Sequence, residues 1–383
     1  LNSIGIASAG GVGKVTAEWM MNGHINEDIF SYDIKRFQKF HSEIKFIKER
    51  VTETLGDLYG MHWPFKQHQT ARNIKIFPHH EILKKNGACF GVSGGYERPM
   101  WFSMDNQEPK YNYSYRYQNW YPSVEFETKN CRKNVGLFDL TPFSKFELKG
   151  DKAFEELQRI CTANIKNEPG KCVYTQMLNN DGGIEADVTI VCLERNYFRI
   201  ISSAATRERD KFHINKNLTT NIELTDVTDK YCVFGLFGPK SRELISSISK
   251  EDFSNKNFKF ATGKKIKINN VETWVQRLSY VGELGYEIYV EFDKAVEIYS
   301  LLINEGKKYN ISNCGMHSLD IMRMENGFLH WGHDISPEEN QYQAGLEFAI
   351  SFKKNIDFIG KDSLLKIKDN NINKRLMMFR LKD

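Results

Sequence analysis

The most informative stretch of the sequence reads GGIEADVTI at residues 182–190. Its two glycines indicate a turn, and the apolar residues at every second position after them indicate a β-strand. Because side chains alternate between the two faces of a strand, Asp187 and Thr189 share one face and Val188 points to the other. An acid beside a hydroxyl can orient a polar ligand or exchange a proton. A solvated strand end is the alternative.

The length and composition are those of a folded chain with two to three domains. It has 383 residues, of which 40% are hydrophobic and 13% aromatic, and these values exclude an intrinsically disordered chain. The formal net charge is only +4, with basic residues interspersed among acidic ones, so we expect no nucleic-acid partner. No apolar run reaches the roughly 20 residues of a membrane span. We therefore expect no membrane partner, and a small molecule as the ligand.

The seven cysteines form no CxxC pair. Their number and spacing argue against a disulfide framework and a zinc site, and favour a reducing compartment. The ten histidines show no spacing typical of a metal site either. We expect no metal, no cysteine chemistry, and a location in a bacterial cytoplasm or the mitochondrial matrix.

A glycine-rich segment near the start of the chain contains Gly10, Gly11 and Gly13 and runs into a helical pattern. Backbone N–H groups at a helix N-terminus bind anions, so these glycines are candidate ligand-binding residues. A tight packing turn is the alternative. The segment is not a Walker A loop, because Val15 stands where that motif needs Ser or Thr.

Residues 32–122 divide into two parts with different sequence patterns. Apolar residues near helical spacing predict an amphipathic helix within residues 32–62, and the Pro, Gly and aromatic residues of 63–122 predict an irregular connecting module. Four tyrosines in this module alternate with polar residues: Tyr111, Tyr113, Tyr115 and Tyr117. This alternation favours an edge strand packed on a neighbouring domain over a platform for stacking a ligand.

From residue 136 onward the chain alternates strand and helix patterns. We predict a helix over 154–160 and strands at 137–140, 145–148, 173–178, 188–193 and 197–202. This order predicts an α+β fold with much antiparallel sheet.

A predicted hairpin over residues 277–290 brings Tyr280 and Glu287 near its two rims. A carboxylate accepts two hydrogen bonds side by side from an aminopyrimidine edge, and a tyrosine ring stacks on the same group or bonds to it. An exposed glutamate with a core tyrosine is the alternative.

A predicted helix over residues 316–327 carries Arg323 on the same apolar stripe as Met316 and Leu319. A buried arginine needs a carboxylate partner. That partner belongs either to the protein, as a structural ion pair, or to a ligand.

Together these motifs resemble the folate-binding domain of the glycine-cleavage T-protein. Five ordered motifs carry the resemblance: GLFDL at 136–140, PG at 169–170 with YT at 174–175, the stretch 182–190, SY at 279–280 with EI at 287–288, and RME at 323–325 with GHD at 332–334. The segment 5–19, and GGYERP at 94–99 with the following tryptophan and phenylalanine, resemble the dimethylglycine and sarcosine dehydrogenases, which are FAD-dependent oxidoreductases.

The resemblance implies the domain organisation. We expect the end of an FAD-oxidoreductase domain at 1–62, a connector module at 63–122, a T-protein-like folate-binding α+β domain at 123–368, and the start of a C-terminal barrel at 369–383. The chain begins with Leu1 and ends in the apolar run 375–381. We therefore expect a fragment that lacks most of the FAD domain and the barrel, and that is inactive on its own.

The resemblance also implies a function. It indicates an FAD- and tetrahydrofolate-dependent dehydrogenase that oxidises an N-methylated amine, either dimethylglycine or sarcosine, and passes the one-carbon unit to tetrahydrofolate. An electron-acceptor protein or oxygen would be a further partner. A folate-dependent aminomethyltransferase, and a non-enzymatic relative of the pyruvate dehydrogenase phosphatase regulatory subunit, are the alternatives.

The site residues implied by the resemblance follow its motifs. Asp187 is the implied catalytic acid, and Tyr174, Thr189, Tyr280 and Glu287 are the implied pterin-binding residues. Arg323 would support the folate site or meet the anionic tail. Gly10, Gly11 and Gly13 would contact FAD, which residues outside this chain would mostly hold.

Overall fold

The computed structural model describes residues 5–104, 107–370 and 372–382. The α-helices are α1 (Gly5–Asn22), α2 (Ile44–Asp57), α3 (His80–Lys85), α4 (Tyr121–Lys133), α5 (Ala153–Ile160), α6 (Arg207–Asn217), α7 (Ser241–Ser247), α8 (Ala295–Gly306), α9 (Met316–Glu325), α10 (Gln341–Ala344) and α11 (Lys361–Asp369). Short 3-10 helices lie at Phe30–Tyr32, Ile34–Arg36, Lys39–Ser42, Thr228–Lys230, Phe292–Lys294, Lys307–Tyr309 and Glu347–Ala349.

The strands are β1 (Ala88–Ser93), β2 (Tyr96–Phe102), β3 (Val135–Asp139), β4 (Ser144–Lys149), β5 (Cys172–Leu178), β6 (Ile184–Glu194), β7 (Tyr197–Ser202), β8 (Leu224–Asp226), β9 (Tyr231–Phe237), β10 (Gly263–Ile268), β11 (Val271–Gln276), β12 (Gly285–Glu291) and β13 (Ile311–Cys314). Five of them, β3 to β7, confirm the five predicted strands. The helix predicted at 154–160 is confirmed by α5.

Two sheets form the body of the molecule. A five-stranded sheet has the order β5-β6-β7-β4-β8, and its pairs are antiparallel. A six-stranded sheet has the order β10-β11-β12-β9-β3-β13, in which only the β3–β13 pair is parallel. Strands β1 and β2 form a separate hairpin. This architecture confirms the predicted α+β class.

The five-stranded sheet is amphipathic as the stretch 182–190 predicts. Val188 and Ile190 on β6 are buried in one core with Leu157 of α5 and Ile214 of α6. Full burial of such a side chain stabilises the fold by about 1.5–3 kcal/mol. The polar residues of β6 therefore point to the opposite face, toward the second sheet.

The six-stranded sheet repeats this arrangement. Ile288 and Val290 on β12 are buried with Leu244 of α7 and Ile298 of α8. Because side chains alternate along the strand, Glu287 is left on the other face. The helices thus cover the outer faces of both sheets, and the inner faces share a cavity.

The structure corrects the expectation for the N-terminal glycines. Gly10, Gly11 and Gly13 lie inside α1 rather than in a turn before a helix. Their amide groups are therefore engaged in the helix, each with the carbonyl four residues earlier. A glycine costs a helix about 1 kcal/mol relative to alanine, and the alanines and lysine around these positions favour the helix enough to continue it.

The alternating tyrosines do not form the predicted edge strand. Residues 111–120 are irregular, and the rings of Tyr111 and Tyr113 stack on each other with centroids 5.4 Å apart. Both rings pack edge-on against Trp120. The edge-strand prediction is wrong because contacts between aromatic rings, and not strand pairing, hold this segment.

The predicted hairpin is partly corrected. Strands β11 and β12 are antiparallel neighbours, with Gln276 opposite Glu287, but residues 277–284 form an irregular loop between them. Tyr280 lies in that loop, where its hydroxyl donates to the carbonyl of Leu329.

The helix predicted within 32–62 is confirmed as α2, although its apolar residues Ile44, Ile47 and Val51 stay exposed. The helix predicted over residues 316–327 is confirmed as α9, followed by Gly327 at a left-handed φ of 67°. All seven cysteines are buried and carry free thiols. Among the described residues, no helix is both long enough and apolar enough to cross a membrane.

Candidate functional site

A cavity of about 350 Å³ lies between the inner faces of the two sheets. Its volume falls in the range of about 300–1,000 Å³ typical of small-molecule sites. Five of the predicted site residues line it: Tyr174, Asp187, Thr189, Tyr280 and Glu287. These residues come from β5, β6, the 277–284 loop and β12, so the fold brings together motifs that are up to about a hundred residues apart in the sequence.

Asp187 is held by the neighbouring strand. Gln176 lies opposite it on β5, and the Gln176 side-chain amide donates to Asp187 Oδ1 at 2.7 Å. Burial raises the pKa of Asp187 to about 7, against the lowering effects of Gln176 and Tyr174. A carboxyl group with this pKa exchanges a proton readily at neutral pH.

A chain of buried amides fixes Gln176 in turn. Gln341, at the start of α10, donates its Nε2 hydrogens to Gln176 Oε1 at 2.6 Å and to Thr162 Oγ1 at 3.0 Å. Gln176, Gln341 and Thr162 are completely buried. Because Gln176 Oε1 faces Gln341, its NH₂ group must face Asp187, and the carboxylate is oriented by a segment more than 150 residues further along the chain.

Glu287 occupies an equivalent position on the other sheet. The Gln276 amide from β11 donates to Glu287 Oε2 at 2.7 Å, and the Tyr289 hydroxyl donates to the same oxygen at 3.0 Å. Burial raises the pKa of Glu287. Neither of these bonds uses Glu287 Oε1, which leaves that oxygen for a ligand.

The other three predicted pterin-binding residues also line the cavity: Tyr174, Thr189 and Tyr280. Tyr174 lies opposite Thr189 in the β5–β6 register, and its ring stacks on Phe348 with centroids 6.2 Å apart. Burial raises the pKa of the Tyr174 and Tyr280 hydroxyls, so both stay protonated. The Tyr280 hydrogen is already donated to the carbonyl of Leu329, which leaves its ring to contact a ligand.

Arg323 has its partners within the protein. Its Nε donates to Asp320 at 2.8 Å, and its guanidinium also binds Asp334 and the carbonyl of Phe328. Arg323 is not among the residues that line the cavity. Of the two alternatives open from the sequence, the geometry favours a structural ion pair that holds α9 to the 328–334 loop.

Several lining residues had no signal in the sequence analysis. Arg98 on β2, His317 on α9 and Lys145 on β4 all line the cavity. Burial lowers the pKa of Lys145 to about 7, and its amine donates to the carbonyls of Thr141 and Phe143 at 2.9 and 2.7 Å. The alternation of β5 would have identified Gln176, since it shares the face of Tyr174, whereas nothing local marks Gln341.

The three N-terminal glycines do not form a flavin-binding loop in this structure. A Cβ atom placed at Gly10, Gly11 or Gly13 would meet no other atom within 4 Å, so nothing in the described chain requires glycine there. Their amide groups are engaged within α1 rather than directed at an anion. These three glycines therefore present no free amide group to a flavin phosphate.

Comparison with known families agrees with the fold. The GCVT N-terminal domain family matches residues 79–354, which is more than half of the chain, and the FAD dependent oxidoreductase central domain family matches residues 22–76. The chain therefore belongs to the GCVT N-terminal domain family, and its resemblance to dimethylglycine and sarcosine dehydrogenases is confirmed.

Individual relatives refine this placement. The chain is 41% identical to 4-methylaminobutanoate oxidase (formaldehyde-forming) of Paenarthrobacter nicotinovorans, over 96% of this chain and 44% of the relative. It is 30% identical to mitochondrial dimethylglycine dehydrogenase of Rattus norvegicus, over 98% of this chain and 44% of the relative. The chain thus spans less than half the length of these two relatives.

A solved structure shares the fold. The glycine cleavage system aminomethyltransferase T from Bartonella henselae superposes with a TM-score of 0.65 and 21% identity, over 78% of this chain and 75% of that one. This likeness supports the assignment of the two-sheet architecture.

Proposed function

We propose that the cavity between the two sheets binds tetrahydrofolate and that Asp187 exchanges a proton with it during one-carbon transfer. The observation that carries the proposal is the pair of carboxyl groups from opposite sheets, each held by a glutamine at 2.7 Å in one cavity. Membership of the GCVT family supports the choice of ligand.

Tetrahydrofolate, when bound, supplies an amine that accepts a one-carbon unit. Glu287 Oε1 would accept hydrogen bonds from the donor edge of the pterin, and Tyr174 and Tyr280 would contact its ring. Asp187, with a pKa raised by burial to about 7, would take up the proton that the amine loses. Arg98 lines the same cavity, and its buried Nε has no hydrogen-bond acceptor in the described chain, which also fits an anionic ligand.

We further propose that the whole protein is an FAD-dependent dehydrogenase of an N-methylated amine. The support is the match of residues 22–76 to the central domain of FAD-dependent oxidoreductases and the names of the relatives.

Calorimetric titration of the chain with tetrahydrofolate tests the proposed site. We expect saturable binding, weakened in Glu287→Gln and largely retained in Asp187→Asn, because only the latter residue is assigned to proton exchange. Absence of binding to the folded wild-type chain would contradict the proposal and favour the non-enzymatic alternative.

A further inference from the structure

Arg98 differs from the buried arginines of the described chain in having no carboxylate partner. Arg199, Arg207, Arg209 and Arg323 are buried, and each forms an ion pair with a carboxylate: Glu147, Asp226, Glu185 and Asp320, respectively. Among the described residues, Arg98 has neither an ion pair within 4.0 Å nor a side-chain hydrogen bond. A buried cation without a partner is costly to the fold.

The surroundings of Arg98 explain why no internal partner reaches it. It is the one residue of β2 that is not fully buried, because it faces the cavity, while its Nε is enclosed without an acceptor. The adjacent Glu97 is already bound by Arg72 Nε at 2.8 Å. Asp320, which also lines the cavity, accepts from Arg323 Nε at 2.8 Å.

The other basic groups in the cavity are weaker candidates for binding an anion. Burial lowers the pKa of His317 and His330 to about 4, so both are neutral at pH 7. Lys145 already donates to two backbone carbonyls. Burial lowers the pKa of Arg98 only to about 10, and it therefore keeps its charge at neutral pH.

We propose that Arg98 binds a carboxylate of the ligand that enters this cavity. The assignment rests on the proposed function, since it concerns the same cavity. A guanidinium binds a carboxylate through two parallel hydrogen bonds. The carboxylate comes either from the glutamate tail of tetrahydrofolate or from an amino acid that carries the N-methyl group. The β1–β2 hairpin would thus contribute a recognition residue to a cavity whose two carboxyl groups, Asp187 and Glu287, come from the two sheets.

Paired ligands distinguish these two sources. Tetrahydrofolate diamide carries amides in place of both glutamate carboxylates, and dimethylamine is sarcosine without its carboxylate. We expect the wild-type protein to prefer the carboxylate-bearing member of one pair. Arg98→Met should reduce that preference about 10- to 100-fold, as expected for the loss of a charge-assisted pair, and leave affinity for the other member within about 2-fold. Arg98→Lys should restore part of the preference.

The outcomes separate the two proposals. If neither tetrahydrofolate nor its diamide binds the wild-type protein, the proposed function fails. If they bind but both preference ratios are unchanged in Arg98→Met, only the assignment to Arg98 fails.

Thermal stability supplies an independent readout. Replacing an unpaired buried cation with methionine should leave the melting temperature unchanged or raise it, whereas Arg323→Met, the matched control, should lower it. An equal decrease in both variants would show that Arg98 has a structural partner and would overturn the proposal.

Discussion

The inner face of each sheet carries an acid that is hydrogen-bonded to a glutamine on the neighbouring strand. Asp187 faces Gln176 across the β5–β6 pair, and Glu287 faces Gln276 across the β11–β12 pair. In both cases the glutamine precedes the acid by eleven residues and donates to it at 2.7 Å. The difference between the two pairs lies in what surrounds them.

The surroundings give the two acids different roles. Tyr289 adds a second hydrogen bond to Glu287, so this acid is suited to accept hydrogen bonds from a ligand in a fixed orientation. Asp187 depends on Gln176, which Gln341 orients, and burial raises its pKa to about 7. The same pairing of a glutamine with an acid thus lies in two different surroundings, with Tyr289 bonded directly to Glu287 and Gln341 bonded to the glutamine that holds Asp187.

The largest expected effect concerns Asp187. Asp187→Asn keeps the size and polarity of the side chain but removes its titration, so we expect one-carbon transfer to slow by about 10²–10⁴-fold. Transfer of a labelled methyl carbon to tetrahydrofolate by the complete protein measures this rate. A rate within a few-fold of the wild type would assign the proton exchange to another group.

Replacing Glu287 should act on binding. We expect Glu287→Ala to weaken tetrahydrofolate binding by about 1–3 kcal/mol, the cost of leaving a buried polar partner unpaired. Calorimetric titration gives this value. Equal affinity in the variant would mean that Glu287 does not contact the ligand.

Gln341 bonds to the glutamine of the Gln176–Asp187 pair and not to that of the Gln276–Glu287 pair, so replacing it should affect Asp187 alone. In Gln341→Leu, Gln176 loses the donor that orients it, and Asp187 loses a hydrogen bond that lowers its pKa. We expect the pH midpoint of the transfer rate to move upward, by about one unit or less.

Trp274→Phe is the matched control for this shift. Its indole N–H donates to Gln276 Oε1 at 3.2 Å, so the substitution removes the equivalent donor from the Glu287 pair. The midpoint should then stay in place and the tetrahydrofolate affinity should decrease. A shift of the midpoint in both variants would mean that the two pairs are not independent.

The smallest expected effect is on how the free energy of unfolding changes with pH. The pKa of Asp187 rises from an ordinary 3.8 to about 7 because the group is buried, so the folded protein retains a proton that the unfolded chain releases. The contribution of Asp187 to stability is therefore lost as the pH rises from about 4 to about 7. Urea denaturation across this range should show a shallower decrease for Asp187→Asn, and identical slopes would contradict the raised pKa.

The sequence was informative where a local pattern fixes the structure. The alternation in GGIEADVTI placed Asp187 and Thr189 on one face and Val188 in the core, and the structure has both. It failed where distant parts of the chain decide the outcome. No pattern near Gln341 shows that it reaches Gln176, and nothing in GGYERP shows that Arg98 remains without a partner. The irregular segment around Tyr111 was missed because ring packing on Trp120 overrides its strand-like alternation.

The most direct test of the different roles of the two acids is the titration of the Asp187 carboxyl group. Carbon-13 NMR of aspartate-labelled wild-type protein and of Asp187→Asn, compared across pH, isolates this single resonance. We predict a midpoint near pH 7, consistent with a group that exchanges protons at neutral pH. A midpoint near the ordinary value of 3.8 would show that Asp187 is ionised throughout the neutral range, and would contradict its proposed role in proton exchange.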